Sequence, residues 1–323
     1  MTKSDLKNAV RILRECSDFL IAGHVSPDGD CLGCMCGLGL VLQGLGKSVM
    51  LVNPDGVPDL YRFLPGSDHV VKEVPAGRRF GAAIVVDCEG LDRLGSVADA
   101  LPLCERVLEI DHHPGGRAGS DVQLIDPSAA SCGEIVIALL NEAGVGVEPS
   151  VAECLLTAVV TDTGSFRFSS VKPSTLKAAA ALLEAGASIS KVARRVYETR
   201  SLSSVKLLGM ALSNVRTTAD GRIAYASVTR DQMALSSAAD AESEGIVNYV
   251  RSVRGAQVGI LFRESRDGGT KVSLRARDGL DISQVARLFG GGGHRTAAGC
   301  TVERPLSEAV DLILDAVRKW MES

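Results

Sequence analysis

Short apolar runs alternate with longer segments of helical periodicity through the first half of the chain. Phe19–Ala22, Val49–Val52, Ala83–Val86 and Val107–Ile110 are apolar and partly β-branched, the pattern of strands buried on both faces. Between them run helix-like segments such as Leu32–Leu45, rich in glycine and small residues. Strand–helix alternation predicts an α/β fold with a mostly parallel sheet covered on both faces. After an alanine-rich helix at Lys177–Ala185 the pattern changes, and Ile189–Tyr197 and Leu202–Leu212 read as a helical connector. Strand Ile223–Val228, helix Ala241–Val253, strands Gln257–Phe262 and Lys271–Ala276, helix Ile282–Leu288 and the amphipathic helix Leu306–Met321 predict a smaller α+β domain. The expected boundaries are an α/β domain over 1–187, a linker over 188–212 and a second domain over 213–323, with a cleft between the two domains.

Composition narrows the class. A chain of 323 residues is long for one domain. With 46% hydrophobic and 23% charged residues it buries an ordinary globular core, and with 4% aromatics that core is aliphatic. No stretch approaches the roughly 18 apolar residues of a membrane span. Met1–Arg14 is a polar start to an amphipathic helix, without the apolar block of a signal peptide. Nine cysteines without paired spacing, several in apolar segments (Cys88, Cys104, Cys154), suit reduced thiols in a cytoplasm. The net charge of −4 is unevenly spread: residues 1–187 carry 15 Lys+Arg against 24 Asp+Glu, and residues 188–323 carry 20 against 15. An acidic half fits cation binding, and a basic half fits an anionic ligand.

The chemistry-bearing motifs share one placement. His24-Val25-Ser26-Pro27-Asp28-Gly29-Asp30 follows the first strand, Asp87 the third and Asp111-His112-His113 the fourth; Asp162 ends the helical run Val151–Val160. Ligands of parallel α/β sheets bind beyond the carboxyl ends of the strands, so these clusters converge if the strands are neighbours. Carboxylates and imidazoles without thiolates suit manganese, magnesium, iron or cobalt. So many ligands exceed one ion's needs, whereas two ions sharing a carboxylate would use them and clamp a phosphoryl group. Asp-x-Asp alone is more often a turn or a helix cap; the combination is what points to metal. Cys31, Cys34 and Cys36 fit buried packing better than a metal site of their own.

In these motifs the chain resembles the DHH phosphoesterases, which take their name from the triplet seen here as Asp111-His112-His113, and within them the oligoribonuclease and phosphoadenosine-phosphate phosphatase branch. The resemblance implies that His24 and Asp28 bind one metal, that Asp30, His112 and Asp162 bind a second, and that Asp87 bridges them. It implies that Asp111 orients the histidines and that His113 stabilises charge on the substrate phosphate or protonates the leaving oxygen. Two divalent ions are implied, manganese first, with magnesium or cobalt as substitutes.

In the second half, Lys271-Val272-Ser273-Leu274-Arg275-Ala276-Arg277 alternates strictly, placing Lys271, Ser273, Arg275 and Arg277 on one face. Gly290-Gly291-Gly292-Gly293-His294-Arg295 follows, and a helix-like segment is expected after it. Four consecutive glycines are entropically costly, and close backbone approach to an anion, as a nest of N–H groups, explains them. The run resembles the substrate signature of the DHH-associated C-terminal domain, which implies that Ser273, Arg275, Gly291, Gly292, Gly293 and His294 hold the distal phosphate or base. Arg275 is the natural anchor. Asn248 and Tyr249 are weaker candidates for a base contact.

The function expected is metal-dependent hydrolysis, by a hydroxide bridging two metals, of short oligoribonucleotides to mononucleotides and of 3′-phosphoadenosine 5′-phosphate. The rival within the same chemistry is a phosphodiesterase of cyclic dinucleotides or their linear products. An exonuclease of long single strands would need extra binding modules and stacking aromatics, and the chain has one Trp and four Tyr. Neither long duplex nucleic acid nor membrane is an expected partner, and the helical content permits a homodimer.

Overall fold

The computed structural model describes residues 2–113, 120–277 and 279–322, with the side chain of His294 outside that set. The chain divides into two compact units, Met1–Thr199 and Arg200–Ser323. The segment 188–212, expected as a connector, is divided between them.

In the first unit six strands form one parallel sheet: β1 (Asp18–Gly23), β2 (Ser48–Val52), β3 (Val70–Val71), β4 (Ala82–Val86), β5 (Val107–Asp111) and β6 (Val122–Ile125). Their order is β3-β2-β1-β4-β5-β6, so the winding direction reverses between β1 and β4. A crevice opens at such a switch point beyond the carboxyl ends of the strands. All five residues of β4 are buried, as the unbroken apolar run requires. The helices are α1 (Lys3–Glu15), α2 (Gly29–Gly44), α3 (Cys132–Ala143), α4 (Pro149–Asp162), α5 (Pro173–Glu184) and α6 (Ile189–Ala193). The short strands β3 and β6 and the helix α3 are additions to the elements read from sequence.

Helix α2 has no polar stripe because it is buried almost all round, against the sheet and against α4. Small residues make that approach feasible. A Cβ at Gly33 would stand 2.5 Å from the Cys154 carbonyl oxygen, and one at Gly37 3.2 Å from Leu155. Leu32, Met35, Leu38 and Leu42 fill the core beside them.

The second unit carries α7 (Leu202–Ser213), β7 (Arg216–Thr217), β8 (Ile223–Val228), α8 (Arg230–Ser236), α9 (Ile246–Arg251), β9 (Val258–Glu264), β10 (Thr270–Ala276), α10 (Ser283–Leu288), β11 (Gly292–His294), β12 (Ala297–Val302) and α11 (Leu306–Glu322). Its sheet order is β11-β12-β10-β9-β8-β7, antiparallel except for the β8–β9 pair. Val272, Leu274 and Ala276 face the core under α10 and α11, while Leu261 faces the core under α7 and α9.

Two expectations are corrected here. The helix read over Ala241–Val253 is broken: a 3₁₀ turn, Asp240–Ser243, precedes Gly245 at φ 80°, and only then does α9 begin. That left-handed φ suits glycine and interrupts an α-helix. The glycine run does not lead into a helix. Gly292–His294 forms the edge strand β11, and the segment after it is strand β12.

Candidate metal centre and anion site

Parallel register brings the predicted residues of the first unit together. Gly23 pairs with Val86 and Val86 with Ile110, so His24, Asp87 and Asp111 follow in one row at the carboxyl edge. Asp87 N–H donates to the Ile110 carbonyl at 2.9 Å, and Asp87 itself is held at φ 52°, an uncommon region for a residue with a side chain. Asp28 caps α2, accepting hydrogen bonds from Asp30 N and Cys31 N. The cap reading of the Asp-x-Asp motif therefore applies, and it does not exclude Asp28 from the donor cluster. Asp162 arrives at the end of α4.

The donor atoms converge on Asp87. His24 Nε2 lies 3.5 Å from Asp87 Oδ2 and 3.8 Å from Asp28 Oδ1. His112 Nε2 lies 3.6 Å from Asp87 Oδ1, 3.9 Å from Asp30 Oδ2 and 3.2 Å from Asp162 Oδ2. Atoms bound to one cation at about 2 Å stand roughly 3 to 4 Å apart, so these spacings suit shared coordination. Among the described residues three donor groups arise, His24–Asp28–Asp87, Asp30–Asp87–His112–Cys132 and Asp87–Asp111–His112–His113, and Asp87 belongs to all three.

Several supports were not legible in the motifs. Asp30 is fully buried and accepts hydrogen bonds from Cys132 N at 2.7 Å, Gly133 N at 3.1 Å and the Cys34 thiol at 3.5 Å. The first turn of α3 thus faces a carboxylate, which its free N–H groups favour. The Cys132 thiol lies 3.7 Å from Asp87 Oδ1. His24 Nδ1 is 2.8 Å from the Val25 carbonyl and 3.2 Å from Arg93 Nη2, which turns Nε2 toward the carboxylates. Asn53 donates to the His24 carbonyl at 2.9 Å. A helix start after Ser131 was the available signal for α3. Asp111 holds His113 twice, accepting from its backbone N at 2.9 Å and its Nδ1 at 2.7 Å.

The electrostatics give a test of whether cations fit. Burial, then the charges of Asp87 and its neighbours, pushes the Asp30 carboxyl well above its usual range; burial, then Asp28 and Asp87, does the same to Asp162. Burial alone would lower the His24 imidazole, yet its hydrogen bonds to Asp28 and Asp87 hold it up at about 10. Burial also opposes the charged form of His113, and Asp111 and Asp87 lift it to about 9. So much crowded negative charge pulls protons onto its members, and divalent cations satisfy it with nitrogen and oxygen donors of the right type. The residues fit.

In the second unit two of the predicted binding residues, Arg275 and His294, stand on one row of backbone pairs. Arg275 pairs across β9 with Gly259 and across β12 with Ala297, and Ala297 pairs in turn with His294. Paired residues share a face, so Gly259, Arg275 and Ala297 form a row that is small on both sides of the arginine. The next row on that face sets Ser273 beside Gly299, and Gly299 beside Gly292. The His294 side chain lies outside the described residues. Two of the four glycines have a packing cause of their own: a Cβ at Gly291 would stand 2.1 Å from the Gly299 carbonyl oxygen, and one at Gly293 2.5 Å from that of Ala297, whereas one at Gly290 or Gly292 would meet nothing within 4 Å. Asn248 and Tyr249 are exposed, while Ile246, Val247 and Val250 anchor α9.

Comparisons with known proteins agree with this division. The family model described as "DHH family, N-terminal domain" matches residues 18–159, and the "DHHA1 domain" matches residues 220–323. A Thermus thermophilus protein named bifunctional oligoribonuclease and PAP phosphatase NrnA is 33% identical, over 93% of this chain and 89% of its own. A Bacillus subtilis protein of the same name is 28% identical, over 91% and 92%. The crystal structure of an exopolyphosphatase-related protein from Bacteroides fragilis superposes with a TM-score of 0.94 at 27% identity, covering 99% of this chain and 98% of that one.

Proposed function

The chain belongs to the DHH family, and from that premise we propose that it is a phosphoesterase that hydrolyses short oligoribonucleotides to mononucleotides and dephosphorylates 3′-phosphoadenosine 5′-phosphate. The observation that carries the reading is the shared position of Asp87 in three overlapping donor groups at the sheet's switch point. The names of the Thermus and Bacillus relatives, which match along nearly the whole chain, supply the substrates.

His24, Asp28 and Asp87 would hold one divalent ion, and Asp30, Asp87, His112 and Asp162 a second. Manganese suits this mixture of carboxylate and imidazole, with magnesium or cobalt as substitutes. When bound, such a pair supplies an activated water and neutralises charge on the phosphoryl oxygens. The protein's own contribution is order. The α3 N–H groups hold Asp30, the Val25 carbonyl orients His24, and β4 fixes Asp87 between them. Asp111 accepts a hydrogen bond from Nδ1–H of His113, so Nε2 is the atom through which His113 would give a proton to the leaving oxygen. In the second unit the row around Arg275 supplies affinity for nucleotide phosphate.

No disulfide joins the cysteines among the described residues, and no helix among them is long and apolar enough to cross a membrane. The test is hydrolysis of a labelled RNA dinucleotide and of 3′-phosphoadenosine 5′-phosphate, with manganese, with magnesium and with chelator. Mononucleotides from the first and inorganic phosphate from the second are expected, with both activities lost in chelator. Turnover that survives chelation would refute the metal centre, and metal-dependent inactivity on both substrates would refute the substrate class.

A further inference from the structure

Arg275 has a companion that the motifs do not contain. Its cross-strand neighbour on β9 is Gly259, and Gly259 is where α9 comes down onto the sheet: a Cβ there would stand 2.6 Å from the backbone and Cβ of Arg251. The absent side chain at 259 lets the last residue of α9 lie against the row that holds Arg275. From that position Arg251 Nη1 donates to the Ala276 carbonyl at 3.1 Å, while Arg275 Nη1 donates to the Leu274 carbonyl at 3.0 Å. Two guanidinium groups are thus tied to carbonyls on either side of residue 275.

Like charges brought together on a half-buried surface repel one another, and proteins rarely leave such a pair without a counter-charge. Burial, then the charge of Arg251, depresses Arg275, while Glu244 acts in the opposite sense. Yet the ion pairs of the second unit engage Arg263, Arg295 and Lys319, and among the described residues no carboxylate lies within 4.0 Å of Arg251 or Arg275. Each arginine spends one donor on the backbone, and a guanidinium has five. The remainder are available to an anion, beside the short side chain of Ala297 on the other flank of Arg275.

We propose that Arg251 and Arg275 together form a two-guanidinium site for a terminal phosphate, and that Arg251 makes the protein prefer nucleotides ending in a phosphomonoester. The proposal rests on the reading of the second unit as the nucleotide-binding part. The chemistry sets the choice: an internal diester carries one negative charge, whereas a terminal phosphate carries about two near neutral pH and offers three oxygens to paired forks.

The test is equilibrium binding to the full chain in chelator, so that hydrolysis does not intervene, with two probes: diadenylate bearing a 5′-phosphate and diadenylate without it. The intact protein is expected to bind the phosphorylated probe about ten- to a hundredfold more tightly, the range of one or two charge-assisted hydrogen bonds. Arg251→Met should remove most of that preference while leaving affinity for the unphosphorylated probe within about threefold. Arg251→Lys, which keeps the charge and loses the fork, should remove part of it. Arg254→Met, an exposed position just beyond α9, should keep it. No preference in the intact protein, or a preference undiminished in Arg251→Met, would overturn the proposal. So would equal weakening of both probes, and if Arg251→Met does not fold, Arg251→Lys decides. Arg275→Met separates the two levels. If it loses the phosphorylated probe while Arg251→Met does not, only the role of Arg251 fails; if neither variant affects either probe, the second unit is not the nucleotide site.

Discussion

The two units build their sites by different means. In the first, each side chain proposed for the metal centre sits just past a strand or at the end of a helix, and the parallel register carries His24, Asp87 and Asp111 to one edge. In the second, the proposed binding residues lie within the strands, near their ends, and antiparallel pairing sets Gly259, Arg275 and Ala297 side by side, with His294 paired to Ala297. The first arrangement needs only that neighbouring strands point the same way. The second depends on register, and a slip of one residue would turn Arg275 into the core. A metal centre at a sheet edge is accordingly robust to how long each strand is, whereas an anion site on a sheet face is not.

The sharpest way to break the first half of that comparison is at Asp87. Because it faces His24, His112 and His113 at 3.5 to 3.6 Å, its removal disrupts every donor group at once. Asp87→Ala is expected to lower kcat by roughly a thousandfold or more, measured as phosphate release from 3′-phosphoadenosine 5′-phosphate with manganese. Affinity for the 5′-phosphorylated dinucleotide in chelator should be unchanged within about threefold, since Asp87 belongs to the other unit. Wild-type turnover in the variant would mean that Asp87 is not shared between metals.

A smaller effect is expected one residue from the imidazoles. Asp111 touches His113 and makes the hydrogen bonds that set its tautomer, so Asp111→Asn should cost about ten- to a hundredfold in kcat. Single-turnover rates at saturating metal would check this, and a loss reversed by more manganese would assign Asp111 to metal affinity instead. These residues were legible before the fold because apolar runs end where ionisable clusters begin. What the sequence hid were the backbone partners. Cys132 N and Gly133 N hold Asp30, which lies 102 and 103 positions away, and no local pattern encodes that pairing. Arg251 was hidden for the same reason, since its relation to Arg275 runs through the register of Gly259.

Glycine substitutions sharpen the contrast at the level of stability. Gly33→Ala would press a methyl group onto the Cys154 carbonyl and part α2 from α4, the helices that bear Asp28, Asp30 and Asp162. Gly293→Ala would press one onto the Ala297 carbonyl at φ 131°, where a side chain is already strained. Each should cost about 1 to 3 kcal/mol in urea unfolding. Their functional signatures should differ: Gly33→Ala lowers kcat, and Gly293→Ala raises KM for the nucleotide. Identical signatures would mean that the two sites are not independent. The glycine run also shows where reading from composition stops. Four glycines announce close backbone approach, but the letters do not say that a Cβ at Gly291 or Gly293 would meet β12 while one at Gly290 or Gly292 would stand clear of it.

The smallest expected effect bears on whether the second site is a row or merely a basic surface. In the sequence Lys271 and Arg275 belong to one stripe. In the sheet, Lys271 pairs with Arg263 and Thr301, four residues along β10 from Arg275. At about 3.3 Å per residue that is roughly 13 Å, beyond the Debye length of about 8 Å at physiological salt. Lys271 is exposed, and the neighbouring Arg263 already answers Asp240 at 2.8 Å. Lys271→Ala should therefore change affinity for the 5′-phosphorylated dinucleotide by less than about twofold at physiological salt. A loss as large as that of Arg251→Met would mean that diffuse positive charge binds the nucleotide, and the geometry of the row would then explain nothing about its preference. A loss confined to low salt would fit long-range attraction added to a local site, because screening removes the distant charge and spares the guanidinium pair.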